Sequence, residues 1–419
     1  MSDRLQVPRG TYDVLADDAD ARVALEKTAR RILGGAGFRR IETPAFEYTD
    51  VFARGVGAST DIVQKEMYTF DDGGGRSVTL RPEGTAPICR AYAEHGMHKL
   101  PQPVKLWYLS SFFRQEKPQA GRFRQFWQIG AETIGSDDPA VDAEIIALLA
   151  TLLAELEVAG LRLRIASLGT LEARHAYREQ LQVHLRARAG ELSEDVRSRI
   201  ELNPLRAFDS DHPGTRAVMQ DAPLLLDHLD ADDAEHFATV RELLDRAGID
   251  YTVDPTLVRG LDYYTRTVFE FTSDALGAQS AVGGGGRYDG LVELLGGPAT
   301  PGCGFAAGIE RMLLASARLP VGAPPVDLYV AFEDPAQPAQ RAAAFAVVDE
   351  ARRARLNAQV ELAGRSRKGQ LKHADRLGAR YVAIVGDDMT MLKDMQAGEQ
   401  RDVAASEVVT RVLRDRGMR

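Results

Sequence analysis

A β-hairpin predicted over residues 103–135 constrains the fold of this chain more than any other stretch. Its sequence is PVKLWYLSSFFRQEKPQAGRFRQFWQIGAETIG. Two extended runs, 104–115 and 124–134, flank a loop that contains Pro118 and Gly121, and these residue types supply the turn that joins paired strands. The spacing therefore predicts two long strands that pair antiparallel to each other.

One face of the second run is polar. Because side chains alternate along a strand, Phe126, Gln128 and Glu132 lie on one face, and the opposite face is apolar. A buried amide or carboxylate without a partner costs several kcal/mol, so this face indicates a pocket for a polar substrate. Four charged residues surround the turn: Arg114, Glu116, Arg122 and Arg124. Arginine presents a fixed fork of donors that suits phosphate oxygens, so these residues indicate a site for a polyphosphate. An exposed hairpin with ordinary surface charges is the alternative.

The composition is that of a globular protein with a large core, and the length of 419 residues favours two or three domains. Cys89 and Cys303 are far apart and indicate core positions in a reducing compartment. The beginning lacks the apolar run of a secretion signal, and acidic residues interrupt the longest apolar tract, 140–161, so we expect no membrane segment. A net charge of -9 argues against indiscriminate nucleic-acid binding.

The first third of the chain predicts a helix over 19–36 and an extended segment, FRRIETPAFEY, in which Pro44 belongs at an edge or a bend. A strand then leads into a helix that opens near Thr85, with Glu83 at the junction. Helix N-termini favour negative charge, so this junction suits a charged end of a ligand. A plain helix cap with glutamate in the first turn explains these residues equally well.

The middle of the chain interrupts the sheet. After a helix over 140–156 and a strand over 161–168, residues 171 to about 250 are polar and helical, and we interpret them as an inserted helical subdomain. Its last helix, 232–247, opens with a capping pattern of Asp232 and Glu235. The sheet resumes in LVRGLDYYTRTVFEFTS.

Two later stretches suggest a ligand. Gly283 to Gly286 do not form a known phosphate loop, because no Lys-Ser or Lys-Thr follows them. They either let the chain pass beneath a planar ligand or form a flexible turn. Arg311 lies near the start of a predicted helix, where a cation opposes the helix dipole, so a bound anion would explain it.

Beyond the proline-rich stretch LPVGAPP, strands and helices alternate and predict a small α/β domain with a mostly parallel sheet. Between residues 351 and 380, nine arginines and lysines stand against Glu361 and Asp375. In an acidic chain this patch indicates a contact with nucleic acid. A solvated helix face is the alternative.

These stretches together resemble a known family. FRRIETPAFE resembles motif 1 of the class II aminoacyl-tRNA synthetases, FRQEKPQAGRFRQFWQIGAE resembles motif 2, and GFAAGIERMLL resembles motif 3. LVRGLDYYT and SAVGGGGRYDGL are similar to signature stretches of the histidyl-tRNA synthetase family. The motifs follow one another in the expected order and cover nearly the whole chain.

The resemblance implies an α+β catalytic domain over residues 1–320, with an antiparallel sheet flanked by helices and a helical insertion at about 171–250 that approaches the acceptor stem. A linker over 321–325 and an anticodon-binding α/β domain over 326–419 would follow. Motif 1 implies a homodimer interface around Pro44, in place of the plain edge that periodicity alone favours.

The implied reaction has two steps. The carboxylate of L-histidine attacks the α-phosphate of ATP and releases pyrophosphate, and the adenylate then acylates the terminal ribose of tRNA(His). Mg²⁺ would bridge the phosphates, with no dedicated protein cage visible in the sequence. We expect a cytoplasmic enzyme.

The resemblance also implies residue roles. Arg259 and Arg114 would be the catalytic pair that flanks the α-phosphate. The set expected to bind histidine is Glu83, Gly84, Thr85, Arg114, Gln128, Glu132, Arg259, Tyr263 and Tyr264, with Glu132 and Tyr264 bonding the two imidazole nitrogens. The set expected to bind ATP is Arg114, Glu116, Arg122, Phe126 and Arg311, with Phe126 and Arg311 on either side of the adenine.

Two rival functions belong to other classes. A catalytically inactive paralogue that regulates a biosynthetic enzyme generally lacks the anticodon domain and erodes the signature peptide, whereas RGLDYYT and the basic C-terminal stretch are intact here. A synthetase of the same class for proline or threonine is disfavoured by Glu132 and Tyr264. Histidine-dependent exchange of pyrophosphate into ATP distinguishes the first rival, and a screen of amino acids in the same assay distinguishes the second.

Overall fold

The structure is a computed structural model, and it divides the chain into two compact units, residues 1–321 and 322–419. The described residues are 4–57, 60–119, 121–257, 260–277, 280–316, 325–334 and 336–417. Of the predicted linker 321–325, only Pro325 is among them.

The strands of the first unit form an eight-stranded sheet and a separate three-stranded sheet. Their bounds are β1 Arg39–Arg40, β2 Phe46–Tyr48, β3 Tyr68–Asp71, β4 Ser77–Leu80, β5 Val104–Phe113, β6 Gln125–Ile134, β7 Leu161–Ser167, β8 Thr252–Val253, β9 Thr265–Ser273, β10 Ala281–Arg287 and β11 Gly302–Gly308. The order in the large sheet is β1-β5-β6-β11-β10-β9-β7-β8. Every pairing in it is antiparallel except at the two edges, where β1 joins β5 and β8 joins β7 in parallel. The predicted antiparallel sheet and its central hairpin are confirmed.

The glycine run is part of this sheet. Gly283 to Gly286 pair with β9 on one side and β11 on the other, so the flexible turn, one of the two alternatives, is wrong. The local reason is close approach of the neighbouring backbone: a Cβ on Gly283 would lie 2.6 Å from the Cβ of Ala307. Glycine permits strands to approach at a distance that any side chain would prevent.

The helices of the first unit cover both faces of the large sheet. They are α1 Ala16–Gly35, α2 Thr49–Gly55, α3 Thr85–Glu94, α4 Pro139–Glu155, α5 Leu171–Ala187, α6 Glu194–Arg199, α7 Pro213–Gln220, α8 Ala231–Arg246, α9 Leu291–Leu294 and α10 Ile309–Ala315. Neighbouring residues Val268 and Phe269 of β9 belong to two different buried clusters, because alternate side chains point to opposite faces. One cluster joins α1, α4 and α8, and the other joins α3 to α5, α6 and α7.

The inserted block is helical, as predicted, and runs from α5 to α8. Its last helix begins one residue earlier than expected. The cap of α8 is Asp230, whose carboxylate accepts a hydrogen bond from the amide of Asp233 at 2.7 Å. The prediction that Asp232 and Glu235 cap this helix is therefore wrong, because Asp230 already satisfies an unpaired amide of the first turn.

The segment around Pro44 bends between β1 and β2. The three-stranded sheet, in the order β2-β4-β3, exposes three aromatic side chains. Phe46, Tyr48 and Phe70 are 53%, 52% and 47% exposed, and the rings of Phe46 and Phe70 meet edge to face at 6.4 Å. Clustered apolar exposure of this kind marks surfaces that bind partners.

The second unit is a five-stranded sheet with helices. Its elements are β12 Leu328–Phe332, α11 Pro338–Arg353, β13 Ala358–Val360, α12 Arg367–Arg376, β14 Tyr381–Val385, β15 Thr390–Asp394, β16 Gln400–Val403 and α13 Val408–Asp415. The order is β13-β12-β14-β15-β16. The first three strands run parallel and the last two pair antiparallel, which confirms the small, mostly parallel α/β domain. Across the described residues of both units, none of the helices is long and apolar enough to cross a membrane.

Candidate functional site

A cavity of about 340 Å³ opens on the first unit above the centre of the large sheet. Apart from Ile62, five distant parts of the chain line it: the start of α3, the β5–β6 hairpin, the segment before β9, strand β10, and strand β11 with the start of α10. Most of the residues predicted for the site line this cavity: Glu83, Gly84, Thr85, Arg114, Glu116, Arg122, Phe126, Gln128, Tyr263, Tyr264 and Arg311. Long-range strand pairing therefore brings these residues together.

Glu83 both caps a helix and faces the cavity. Its carboxylate accepts hydrogen bonds from the amides of Thr85 at 2.8 Å and Ala86 at 2.9 Å, and the Tyr263 hydroxyl lies 3.4 Å away. Burial raises the pKa of Glu83, and the two amide donors offset part of that shift. The helix-cap interpretation and the ligand-site interpretation thus apply to the same carboxylate.

Glu132 lies directly behind the cavity wall and does not line the cavity. It is fully buried, and its oxygens accept hydrogen bonds from the hydroxyls of Thr85 at 2.8 Å and Tyr288 at 2.6 Å. Gly304 makes room for it, because a Cβ there would collide with the carboxylate. Burial raises the pKa of Glu132 to about 8. Glu132 thus contacts two hydroxyls that do line the cavity, and its expected bond to a ligand ring stays a prediction.

Two tyrosines of the wall were not among the residues predicted from the sequence. Tyr288 lines the cavity, and its place in the stretch GGGGRYDGL was the available signal. Tyr108 was hidden by its position inside an apolar run of β5. Among the described residues no hydrogen-bond partner is found for the buried Tyr108 hydroxyl or for the Oε1 atom of Gln128. Buried polar atoms are nearly always satisfied, so these two atoms are suited to a polar ligand.

Tyr108 also explains two glycines of the wall. A Cβ on Gly84 would lie 2.6 Å from the Cζ atom of Tyr108, and a Cβ on Gly130 would collide with the same ring. The ring therefore fits only between two positions that carry no side chain. Gly84 contributes backbone to the cavity, as expected from the sequence, and gives space to Tyr108.

The charged end of the cavity is built by the hairpin. Glu116 lies between two arginines, 3.6 Å from Arg114 and 3.4 Å from Arg122. The Nε atom of Arg114 donates to the carbonyl of Pro82 at 2.9 Å, and its guanidinium stands 5.3 Å from the Phe126 ring. The arginines are thus held at the cavity by one carboxylate that a phosphate could replace.

Arg311 faces the hairpin from α10. Its Nε atom donates to the carbonyl of Ala281 in β10. Burial lowers the pKa of Arg311, and the nearby Arg122 adds to the effect. An anion between these arginines would offset their repulsion, which agrees with the expectation that this arginine serves a bound anion.

The segment that precedes α1, which we call the N-terminal arm, packs on this end of the cavity. The Tyr12 ring lies 4.4 Å from the Phe123 ring, and its hydroxyl donates to Glu310 at 2.6 Å. Arg22 donates to the same carboxylate at 2.9 Å, and the amide of Trp127 donates to both of its oxygens at 3.1 Å. Phe123 and Glu310 line the cavity, so the arm supports the hairpin loop from outside.

One of the two predicted catalytic arginines, Arg259, lies outside the described residues. Gly260 and Leu261, which follow it, line the cavity. No cluster of three or more His, Cys, Asp or Glu side chains suited to a metal ion is found in the described part of the chain.

The described geometry separates a neutral polar end from a cationic end. Hydroxyls, an amide and buried carboxyls surround the first, and three arginines with an aromatic ring surround the second. Such a cavity can hold a small polar molecule against a polyphosphate. Arginines placed in this way can stabilise negative charge in a bound ligand.

Comparisons with known proteins agree with this chemistry. Residues 10–312 match the family model "Histidyl-tRNA synthetase", and residues 330–415 match "Anticodon binding domain". The histidine--tRNA ligase of Desulforamulus reducens is 46% identical over 411 residues, covering 96% of this chain and 97% of the relative. That of Halorhodospira halophila is 49% identical over 411 residues, covering 95% of each chain.

A solved structure of apo histidyl-tRNA synthetase from S. aureus matches 98% of this chain and 100% of its own, with a TM-score of 0.80 and 35% identity. Sequence identity at this level extends over almost the full length, and two family models match in the expected order. Together they show membership of a family and more than a shared fold. The chain belongs to the histidyl-tRNA synthetase family.

Proposed function

We propose that this chain is a histidine--tRNA ligase that forms histidyl-adenylate from L-histidine and ATP in the large cavity and then transfers histidine to the 3′ end of tRNA(His). One observation carries most of the proposal: a single cavity is lined by residues from five distant segments that have complementary chemistry for an amino acid and a nucleotide. Family membership and relatives with this printed activity support it.

The neutral end would bind histidine. Glu83, Thr85 and Gln128 would hold its amino group, since the free Oε1 atom of Gln128 needs a donor. Tyr264, with the hydroxyls of Tyr108 and Tyr288, would surround the imidazole. If an amino acid with an apolar side chain entered the pocket, these polar groups would lack hydrogen-bond partners. The pocket should therefore discriminate strongly against such an amino acid.

Glu132 would act on the imidazole through the hydroxyls of Thr85 and Tyr288. These hydroxyls donate to it at 2.8 and 2.6 Å, so its two acceptor oxygens fix the direction in which each hydroxyl points. A hydroxyl whose proton is held by Glu132 presents its oxygen to a ligand as an acceptor. The carboxyl thereby selects a ring that can donate.

The cationic end would bind ATP. The phosphates would replace Glu116 between Arg114 and Arg122, whose distances to it, 3.6 and 3.4 Å, leave the contact open to exchange. Phe126 and Arg311 would take the adenine between them, and Mg²⁺ bound together with ATP would neutralise part of the phosphate charge. The catalytic pair is proposed as Arg114 and Arg259, which would stabilise the charge that grows at the α-phosphate.

The rest of the chain would bind the RNA and a second subunit. The second unit, with its match to anticodon-binding domains, would read the anticodon, and its arginines and lysines between residues 351 and 380 would neutralise phosphates. The exposed aromatics of the three-stranded sheet, near Pro44, would form a homodimer interface. Buried thiols at Cys89 and Cys303 fit the reducing cytoplasm, where we propose that the enzyme works.

Exchange of labelled pyrophosphate into ATP tests the proposal on the purified full chain. We expect exchange with L-histidine and none above background with other amino acids. Replacing Arg114 with alanine should slow exchange by about 10²- to 10³-fold, as for loss of a preorganised donor. Lys105→Ala, in the same hairpin but paired with Glu144 at 2.7 Å, is the matched control and should retain exchange.

Other outcomes identify the rivals. A folded protein that exchanges no pyrophosphate with any amino acid would support the regulatory paralogue. Exchange driven by proline or threonine would support a different specificity. Charging of a tRNA(His) transcript completes the test of the second step.

A further inference from the structure

The helical insertion reaches into the wall of the cavity at one point. Its first helix, α5, and its last helix, α8, both contact residues 262–266, the segment that carries Tyr263 and Tyr264. We propose that Arg174 of α5 and Asp233 of α8 are positioning residues that hold this segment in place for histidine. The inference rests on the proposed function of the cavity and assigns the insertion a part in amino-acid binding.

Arg174 is hydrogen-bonded to the segment on both sides of Tyr263. Its Nη1 atom donates to the carbonyl of Asp262 at 2.8 Å and to the carbonyl of Tyr264 at 3.2 Å, and its Nη2 atom is 3.7 Å from the Asp262 carboxylate. Arg174 is only 8% exposed. A buried guanidinium is expensive unless it is bonded, and the two hydrogens of the Nη1 atom suit two acceptors in one stretch of backbone.

Asp233 fixes the other end of the segment. It is fully buried and accepts from the Nε atom of Arg266 at 2.8 Å and from the amide of Thr170 at 2.7 Å. Thr170 is the cap of α5, so one carboxylate ties α8, the beginning of α5 and Arg266 together. The insertion therefore acts on the segment through both of its boundary helices.

The backbone at Arg266 needs such support. Its φ of 47° lies in the left-handed region, which side chains other than glycine adopt only when their surroundings enforce it. The amide of Arg266 donates to the carbonyl of Gly169, and its carbonyl accepts from the amide of Leu168, both at 2.7 Å. Loss of the Asp233 contact would remove the side-chain part of this restraint.

The expected effect is specific for histidine. Tyr263 and Tyr264 lie at the neutral end of the cavity, whereas the groups proposed for ATP are carried by the β5–β6 hairpin and α10. A loosened tyrosine segment should weaken histidine binding and leave the nucleotide groups in place. General unfolding would weaken both.

The experiment measures KM for histidine and for ATP separately, by pyrophosphate exchange with the full chain. Arg174→Met keeps the volume of the side chain and removes its hydrogen bonds. We expect KM for histidine to rise at least tenfold and KM for ATP to stay within twofold. Arg174→Lys, with its charge but without the fork, should fall between wild type and Arg174→Met, and Asp233→Asn should raise KM for histidine as well.

The matched control is Arg178→Met. Arg178 lies one turn further along α5, and its Nη2 atom donates at 2.7 Å to the carbonyl of Leu202 within the insertion. This variant should keep both KM values. Because it also removes an arginine that donates to a carbonyl, it separates contact with the tyrosine segment from a general requirement for arginine on α5.

A rescue experiment gives a readout that a purely structural role would not move. A second cavity, of about 160 Å³, is lined by Arg174 and Arg178 together with Leu171, His175 and Asp262. Added guanidinium at low millimolar concentration can reach the space left in an Arg174→Ala protein through it. We expect guanidinium to lower KM for histidine in Arg174→Ala and to leave Arg178→Ala unchanged.

An unchanged KM for histidine in folded Arg174→Met and Asp233→Asn proteins would overturn the inference, and so would an equal rise of both KM values. If Arg174→Met does not fold, Arg174→Lys and Asp233→Asn carry the same expectation and the same contrary result. Wild-type protein without histidine-dependent exchange would instead refute the proposed function, so the two failures are distinguishable.

Discussion

At the residue scale, the buried carboxyl of Glu132 should make stability depend on pH. Its pKa in the folded chain is raised to about 8 by burial, from an ordinary value of 4.5. A raised pKa means that the stabilisation is fully present below the unfolded pKa and is lost as pH rises through the folded pKa. The loss therefore falls between about pH 4.5 and about pH 8, with a limiting slope of about 1.4 kcal/mol per pH unit.

Glu132→Gln removes this titration and keeps the shape of the protonated acid. We expect the free energy of unfolding of the variant to increase relative to wild type as pH rises from about 5 to about 8. Urea unfolding of both proteins across this range measures the difference. Glu191→Gln, at an exposed carboxylate, is the control. Parallel curves for Glu132→Gln and wild type would contradict the prediction.

At the element scale, the N-terminal arm should affect the nucleotide end of the cavity. Tyr12 packs on Phe123 at 4.4 Å and donates to Glu310 at 2.6 Å. Tyr12→Ala removes both contacts and leaves the hairpin loop less ordered. If ordering the loop then costs about 1.4 kcal/mol of the binding free energy of ATP, KM for ATP rises about tenfold. KM for histidine should change less than twofold.

Tyr12→Phe separates the two contributions, because it keeps the ring contact and removes only the hydroxyl. Its KM for ATP should lie between those of wild type and Tyr12→Ala. The same steady-state exchange assay measures both constants. Equal increases in the two KM values would indicate general damage and count against a local role of the arm.

At the scale of the whole molecule, the exposed aromatics of the three-stranded sheet predict self-association. Replacing Phe46, which is 53% exposed and touches Phe70, with aspartate should place a charge in the proposed interface. Sedimentation velocity at micromolar concentration should then shift from dimer toward monomer. Val183→Asp alters a 64% exposed residue of α5 and should leave the dimer intact. A wild-type chain that sediments as a monomer would refute the proposed interface.

Several parts of the fold were readable from local pattern. The alternation of residues 104–115 and 124–134 predicted the strands that became β5 and β6, and 3.6-residue spacing predicted α1 and α4 to within a few residues. The glycine and proline of residues 319–325 predicted a linker between two domains. Periodicity and turn chemistry act over a few residues, so one sequence suffices to detect them.

The glycine run shows where local reasoning ended. Gly283 to Gly286 are compatible with a turn when only their neighbours along the chain are considered. Their pairing with β9 and β11 depends on strands contributed from elsewhere. Tyr108 was missed for a similar reason, since its ring is admitted by Gly84 and Gly130, which are neighbours only in space.

The sequence by itself determined the types of most elements and, through motif resemblance, the residues of interest. Only the tertiary structure decided that Glu132 meets Thr85 and Tyr288 behind the wall, that Glu310 joins the N-terminal arm to the hairpin, and that the insertion grips the tyrosine segment. The physical reason is range. Spacing along a chain fixes which face a side chain occupies, whereas the partner on that face is set by sheet register and helix packing between segments up to 298 residues apart.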